Sequence, residues 1–293
     1  MIDVISLGAG VQSTTMALMA AHGEIEPMPA AEIFADTGAE PRRVYEHLDW
    51  LRSGNVLPFP VHVIQFSHMT DDLRKTARGE GEVAGRTGGY VAAPFFTINK
   101  DGSRGMLRRE CTQNYKIRPI EKGLKELLGR DPKKAIRSRK PLVRTWIGIS
   151  SDEWMRVKHL GPKWQTKWHP LIDRHTRDGP DHQNSRWISR QECIDWMQAH
   201  DYPIPAKSAC VFCPYHSNAE WRAVREDPAD WGVAVEIDGL LRGMAETSRA
   251  GLRKGGQLYA HADRVPLADA DIEDEDPNQL NLWASECEGM CGL

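Results

Sequence analysis

No apolar run in this 293-residue chain approaches the roughly 18 residues that a membrane-spanning helix needs, and the mean hydropathy is -0.53. The first ten residues, MIDVISLGAG, carry an early Asp3 and no basic leader. The expectation is a cytoplasmic chain with no signal peptide and no membrane partner. Internal repeats are absent. So are the Gly-x-x-x-x-Gly-Lys-Ser/Thr and Gly-x-Gly-x-x-Gly patterns, which argues against a Walker-type phosphate loop and a dinucleotide-binding turn. Cysteines are few: Cys111, Cys193, Cys210, Cys213, Cys287 and Cys291. In a reducing compartment they do not form a disulfide framework, so metal ligation or thiol chemistry is the first expectation for a clustered subset. Neither sign of charge dominates the whole chain, whose net charge is -3.

The charge is unevenly spread. Residues 1–99 hold 7 basic and 12 acidic side chains, 100–190 hold 23 and 10, and 191–293 hold 8 and 19. A basic middle third between two acidic flanks suits an anionic ligand, either a phosphorylated nucleotide or nucleic acid. It also suits a solvated face neutralised by the acidic tail.

Residues 2–7 are apolar enough for a buried strand, and Gly8-Ala9-Gly10 ends it. Val11, Thr15, Leu18 and Met19 follow at helical spacing, with Gly23 as a stop. Residues 31–35 form a second strand ending in Asp36-Thr37-Gly38, and Pro41 opens a helix to about Arg52. Residues 61–66 form a third strand. This rhythm predicts an α/β fold, a doubly wound, mostly parallel sheet with crossover helices. Residues 68–109 lose the periodicity and read as a mobile insert or lid with a short hairpin. A helix is expected over 112–128, bent near Pro119, and a buried strand over 142–149. Ser189 with Glu192, and Ser217 with Glu220, fit the capping box that starts a helix. A longer helix from Pro228 turns Trp231, Val235 and Leu241 inward, and 269–276 is acidic and loosely structured. The division expected is a nucleotide-binding domain over 1–216 and a helical, cysteine-bearing extension over 217–293.

Gly8 to Thr14 lies between strand and helix. There glycines let backbone N–H groups approach phosphate oxygens, and the helix N-terminus adds partial positive charge. Ser13 and Thr14 hydroxyls add donors. Many such turns hold glycine for steric reasons alone, so the surrounding motifs matter. Gly8–Ser13 resembles the pyrophosphate loop of the PP-loop superfamily, the adenine nucleotide α-hydrolase-like fold. Phe34-Ala35-Asp36-Thr37-Gly38 resembles the second-strand motif of its phosphoadenosine phosphosulfate and adenylylsulfate reductase branch. Trp146-Ile147-Gly148-Ile149 with Asp152, Glu153 and Arg156 is similar to that branch's next substrate motif, and His169-Pro170-Leu171-Ile172-Asp173 to its later turn. The likeness runs in order from about residue 2 to 216. It implies a nucleotide site built from Ser6, Gly8, Gly10, Gln12, Ser13, Thr14, Asp36, Thr37, Lys116, Gly148 and Arg156. ATP-cleaving members carry Asp where Gln12 stands here. A magnesium-assisted attack on ATP would therefore miss one carboxylate, which tilts the reading towards a sulfonucleotide.

The same resemblance implies a metal group. Cys210-Val211-Phe212-Cys213 is a Cys-x-x-Cys, whose thiolates reach one metal across a turn. The stretch from Arg109 through Cys111 and Lys116 to Pro119 is similar to the paired-cysteine segment of cluster-bearing adenylylsulfate reductases, with Glu110 in place of the first cysteine. Three ligands of a four-iron, four-sulfur cluster match: Cys111, Cys210 and Cys213. The fourth place falls to a tail cysteine, to Glu110, or stays open. Zinc on the same thiolates is the alternative. The Glu286-Cys287-Glu288-Gly289-Met290-Cys291-Gly292-Leu293 end resembles the reductase tail, whose cysteine takes the sulfonate before a thioredoxin-like reductant resolves it. That makes Cys287 and Cys291 the catalytic candidates, while Cys193 is read as packing.

Arg108, Arg109, Lys116, Arg156 and Lys158 are candidates for gripping phosphate or sulfate, and His159 and His169 for acid-base work. Most of the ten tryptophans sit at helical spacing and are read as core. Three functions follow. The first is a sulfonucleotide reductase-like enzyme. The second is an ATP-using, iron-sulfur-dependent sulfurtransferase acting on tRNA or DNA. The third is a non-catalytic nucleotide-binding protein with a structural zinc.

Overall fold

Apolar runs with no polar alternation imply strands covered on both faces, and the first strand shows it: after Ile2, every residue of β1 (Ile2–Leu7) is buried. The computed structural model describes residues 1–80, 82–83, 86–87, 91–157, 161–172, 187–244 and 256–273. In chain order β1 is followed by α1 (Val11–Ala21), β2 (Ala31–Asp36), α2 (Arg42–Leu51), β3 (Val61–Gln65) and α3 (Met69–Ala77). Four short strands come next: β4 (Glu82–Val83), β5 (Arg86–Thr87), β6 (Phe96–Ile98) and β7 (Arg104–Met106). A π-helical turn (Thr112–Ile117) leads into α4 (Arg118–Leu127), then β8 (Val143–Ile147), a 3-10 turn (Ser151–Arg156) and β9 (Gln165–Trp168). The chain continues with α5 (Arg190–Ala199), α6 (Asn218–Arg225), α7 (Pro228–Met244) and β10 (Gln257–Tyr259).

The main sheet has five parallel strands in the order β3-β2-β1-β8-β9. On one face Ile5, Leu7, Phe34 and Trp146 pack with residues of α1, α2 and α5. On the other, Val4, Ile33 and Ile147 meet Ile120 and Leu124 of α4. An α/β sheet with helices on both faces is therefore the architecture. The strand order reverses at β1, with β2 on one side and β8 on the other, and such a switch point opens a crevice at the carboxyl ends of the strands.

Several local expectations differ in instructive ways. The irregularity in the 112–128 helix is a π turn before Pro119, and Pro119 sits in the first turn of α4, where its missing N–H costs nothing. β9 carries polar Gln165 and Lys167, so no apolar run announces it; pairing with β8 makes it a strand. Within 68–109, α3 buries Met69 and Leu73, residues 91–93 and Phe95 are buried, and β6 pairs with both β7 and β10. These parts share one apolar core with Trp221 of α6 and Ala234, Ile237 and Leu241 of α7. Both capping boxes are present, Ser189 with Glu192 and Ser217 with Glu220. Among the described residues no helix is long and apolar enough to cross a membrane.

Candidate functional site

The turn from β1 to α1 is left-handed at Ala9 (φ 57), not at either glycine. Gly10 caps the helix with extended backbone, no side chain caps it, and no acidic residue lies in its first turn. The first helical N–H groups thus lack intrahelical carbonyl partners. Ser13 stiffens the turn: its Oγ accepts from the Gly8 N–H at 3.2 Å and donates to the Gly10 carbonyl at 3.4 Å. Gln12 is fully buried at the switch point. Its Nε2 donates to Ser150 Oγ and to Glu153 Oε2, both at 3.3 Å, and Arg156 holds that same carboxylate oxygen at 2.6 Å. Gln12 Oε1 and Ser6 Oγ are buried with no hydrogen-bond partner. An amide at this position donates to Glu153 where a carboxylate would repel it.

Gly8, Gly10, Gln12, Ser13, Gly148 and Arg156 therefore lie in or beside the loops that follow β1 and β8. Thr14 does not join them. Its hydroxyl meets Nε2 of His47 in α2 at 3.1 Å, and burial holds the His47 pKa down to about 4, so the ring is neutral.

Asp36 ends β2, and its carboxylate pins the following turn. It accepts from the Gly38 N–H, the Tyr45 hydroxyl and Gln65 Nε2, each at 2.8 Å. Burial, and then the Asp36 contact, push the Tyr45 phenol pKa up. Gly38 has φ +66, and a Cβ there would lie 2.2 Å from His68 Nδ1 and 2.9 Å from the His68 Cα. Both constraints demand glycine, because α3 docks on this turn through Met69 N–H to the Thr37 carbonyl (2.7 Å) and Thr70 Oγ1 to the Gly38 carbonyl (2.8 Å). Gly38→Ala is expected to cost about 2–4 kcal/mol, from left-handed strain plus overpacking. A chemical-denaturation midpoint equal to the parent's would refute this.

Beside that turn lies a narrow cleft, with a cavity volume of about 40 Å³. Its walls include Thr37, Cys111, Cys210 and Cys213, with Arg109, Lys116 and Lys207 as the cations and His216 at one side. Cys111 precedes the π turn, an irregularity frequent at functional sites, and that turn carries Lys116 inward. Cys210 and Cys213 lie at the two ends of a tight turn closed by Cys213 N–H to the Cys210 carbonyl at 2.8 Å. Val211 N–H bonds the Ala39 carbonyl, which fastens this turn to the end of β2. Thr37 Oγ1 is 3.8 Å from Cys210 Sγ.

Beneath the cleft floor is a residue that sequence reading missed. Glu40 has a fully buried side chain, and its Oε1 takes Lys116 Nζ at 3.2 Å and Thr37 Oγ1 at 3.4 Å. Its Oε2 takes Ser208 Oγ at 3.2 Å. Burial and then the Glu40 charge raise the Cys210 thiol pKa well above its ordinary value, against a lowering by Lys116. Glu220, paired with Lys207 and His216 of the cleft, would be raised by burial, but those two partners hold it down to about 2. The Ser217–Glu220 capping box, legible in the sequence as a helix start, thus also orients Lys207 and His216 beside the cysteines. Arg109 lies 5.6 Å from the Tyr215 ring centroid, within cation–π reach.

Three thiols on one wall are a soft donor set suited to zinc or iron-sulfur chemistry. Among the described residues no three His, Cys, Asp or Glu side chains converge tightly enough to hold one metal ion. A polynuclear group reaches ligands set farther apart than a single ion does. Arg108 is exposed and does not line the cleft. His169 is buried in the turn after β9, and Cys193 is core, as expected. Trp146, Trp164 and Trp221 are also core, whereas Trp154 and Trp187 are exposed. Cys287, Cys291, Lys158, His159 and Asp173 lie outside the described residues. Comparison with protein-family models and with characterised proteins finds no match for this chain.

Proposed function

We propose that this protein is a sulfonucleotide reductase-like enzyme, which binds adenylylsulfate or its 3′-phosphorylated form and passes the sulfonate to a cysteine. The observation that carries the reading is the cleft itself. Cys111, Cys210 and Cys213 share walls with Arg109, Lys116 and Lys207, at the carboxyl end of β2 and one strand from the glycine turn. Phosphate and sulfonate are both anions that such cations and an uncapped helix N-terminus recognise. Gln12 donating to the Glu153 carboxylate that Arg156 also holds favours this reading over magnesium-assisted cleavage of ATP.

In the proposed reaction a tail thiolate, Cys287 or Cys291, attacks the sulfonate sulfur. The sulfur–oxygen bond to the nucleotide phosphate breaks, and the nucleoside phosphate leaves with that electron pair. A dithiol reductant of the thioredoxin kind then attacks the cysteine sulfur, closes to a disulfide and releases sulfite, supplying the two electrons. Lys116 and Arg109 would hold the anion while its charge redistributes, and Lys207 would screen the departing sulfite. Cys111, Cys210 and Cys213 would hold a four-iron, four-sulfur cluster, which would supply redox-active iron-sulfur chemistry, and Lys116 and Arg109 would offset the negative charge that such a thiolate-ligated group carries.

The test is anaerobic purification, metal and sulfide analysis, and sulfite assay with both sulfonucleotides and reduced thioredoxin. Sulfite from either nucleotide, abolished in the Cys287→Ser/Cys291→Ser double variant, is the expected result. Consumption of ATP to AMP with thiolation of tRNA or DNA would replace the proposal with a sulfurtransferase. Tight nucleotide binding without turnover, on a colourless zinc protein, would replace it with a non-catalytic binding role.

A further inference from the structure

The stretch 130–140 holds six basic side chains in eleven residues, Arg130, Lys133, Lys134, Arg137, Arg139 and Lys140, against one acid, Asp131. All six are exposed. Among the described residues the one ion pair any of them makes is Lys134 with Asp131, at 3.6 Å. The loop joins the carboxyl end of α4 to the amino end of β8. It therefore lies at the end of the sheet opposite the cysteine cleft, about 20 Å away by the length of α4 and its π turn. The cations that serve the cleft are a different set, so the nucleotide site does not account for these.

The loop is also held in shape. Lys125 Nζ ties it from α4 by donating to the carbonyls of Pro132 (3.1 Å) and Lys134 (3.0 Å). Asp131 Oδ1 accepts from the Lys133 N–H at 2.9 Å, and the Ser138 hydroxyl donates to the Lys140 carbonyl at 2.7 Å. Ile136, the loop's large apolar side chain, is partly buried against the core. The outcome is a constrained backbone presenting cations outward, with no apolar side chain of its own left to insert into a bilayer. Concentrating like charges in a chain of net charge -3 costs self-repulsion, which a polyanionic partner would relieve.

We infer that this loop is a nucleic-acid docking surface that contacts the phosphate backbone without reading bases. Three of the six cations are arginines, suited to bidentate phosphate contacts, and none is placed beside an exposed aromatic side chain of the loop that would stack on bases. Binding goes beyond the sulfonucleotide chemistry and is independent of it.

Fluorescence anisotropy of the full chain with a labelled DNA duplex and a labelled RNA hairpin, across salt, tests this. If about five phosphates are neutralised, affinity should fall roughly 10²–10³-fold between 50 and 200 mM salt. The Arg130→Gln/Arg137→Gln/Arg139→Gln variant should reduce the log–log salt slope by about 3. Its sulfonucleotide binding should match the parent's, so the two readings fail separately. A variant that binds nucleic acid like the parent, salt-insensitive binding, or binding to phosphatidylserine vesicles without binding to nucleic acid would each overturn the inference.

Discussion

Glu32→Gln is expected to stabilise the protein at pH 8, by on the order of 4 kcal/mol, while leaving stability near pH 5 almost unchanged. Glu32 is fully buried in β2, opposite Ile5 of β1 and Val61 of β3, and neither carboxyl oxygen has a hydrogen-bond partner. Burial raises its pKa to about 8. The folded state therefore keeps a proton that the unfolded state has released. The contribution is fully present below the ordinary carboxyl value of 4.5 and is lost as pH rises through 8. His47 works in the opposite sense. Burial lowers its pKa from 6.5 to about 4, so its contribution is present above 6.5 and is lost as pH falls towards 4. Between about pH 4.5 and 6.5 the two slopes oppose each other, and from 6.5 to 8 the Glu32 slope stands alone. The parent should be flat and then fall. The amide variant should rise and then stay level. Urea unfolding at pH 5, 6.5 and 8 distinguishes the shapes, and parallel curves for parent and variant would sink the prediction.

Lys116→Met should destabilise the fold by about 3–5 kcal/mol, because it strands the Glu40 carboxylate beneath the cleft. The Lys116 side chain is 7% exposed and Glu40's is 0% exposed, so solvent cannot replace the lost ammonium. Thr37 and Ser208 hydroxyls would remain as donors, which is too little for a full charge. Adding Glu40→Gln to the same chain removes the stranded charge and should recover most of the stability, since neutralising both partners of a buried pair is far cheaper than removing one. Nucleotide binding should not recover, because the cleft would still lack its innermost cation. A double variant as unstable as Lys116→Met alone would show that the pair does not carry the effect. Recovered binding would show that Lys116 is structural and does not hold the ligand.

Much of the molecule was readable from local pattern. The apolar runs of β1, β2 and β8, the helical spacing after Val11, and the two capping boxes each depend on neighbours within a turn or a strand, and those elements formed where the pattern put them. β9 and α3 were not readable, because β9 takes its form from pairing with β8 and α3 from packing on α7. Cys111, Cys210 and Cys213 could be singled out by motif, yet nothing in their spacing says that they share a wall. Cys111 and Cys210, 99 residues apart in the chain, come to line one cleft because the Cys-x-x-Cys turn docks on Ala39 after β2.

The chain's own chemistry therefore determined the parallel α/β sheet, the turn at Gly8–Thr14 and the identity of the thiols, because short-range periodicity and backbone sterics suffice for these. Tertiary structure alone decided that Gln12 spends its amide on Ser150 and Glu153, that Thr14 turns to His47, and that Glu40 anchors Lys116 under the cysteines. Each of these is a choice among polar partners, and burial makes that choice. In water Gln12, Thr14 and Glu40 would be satisfied anywhere. Inside the sheet's carboxyl edge each must take the donors or acceptors that the fold brings within reach.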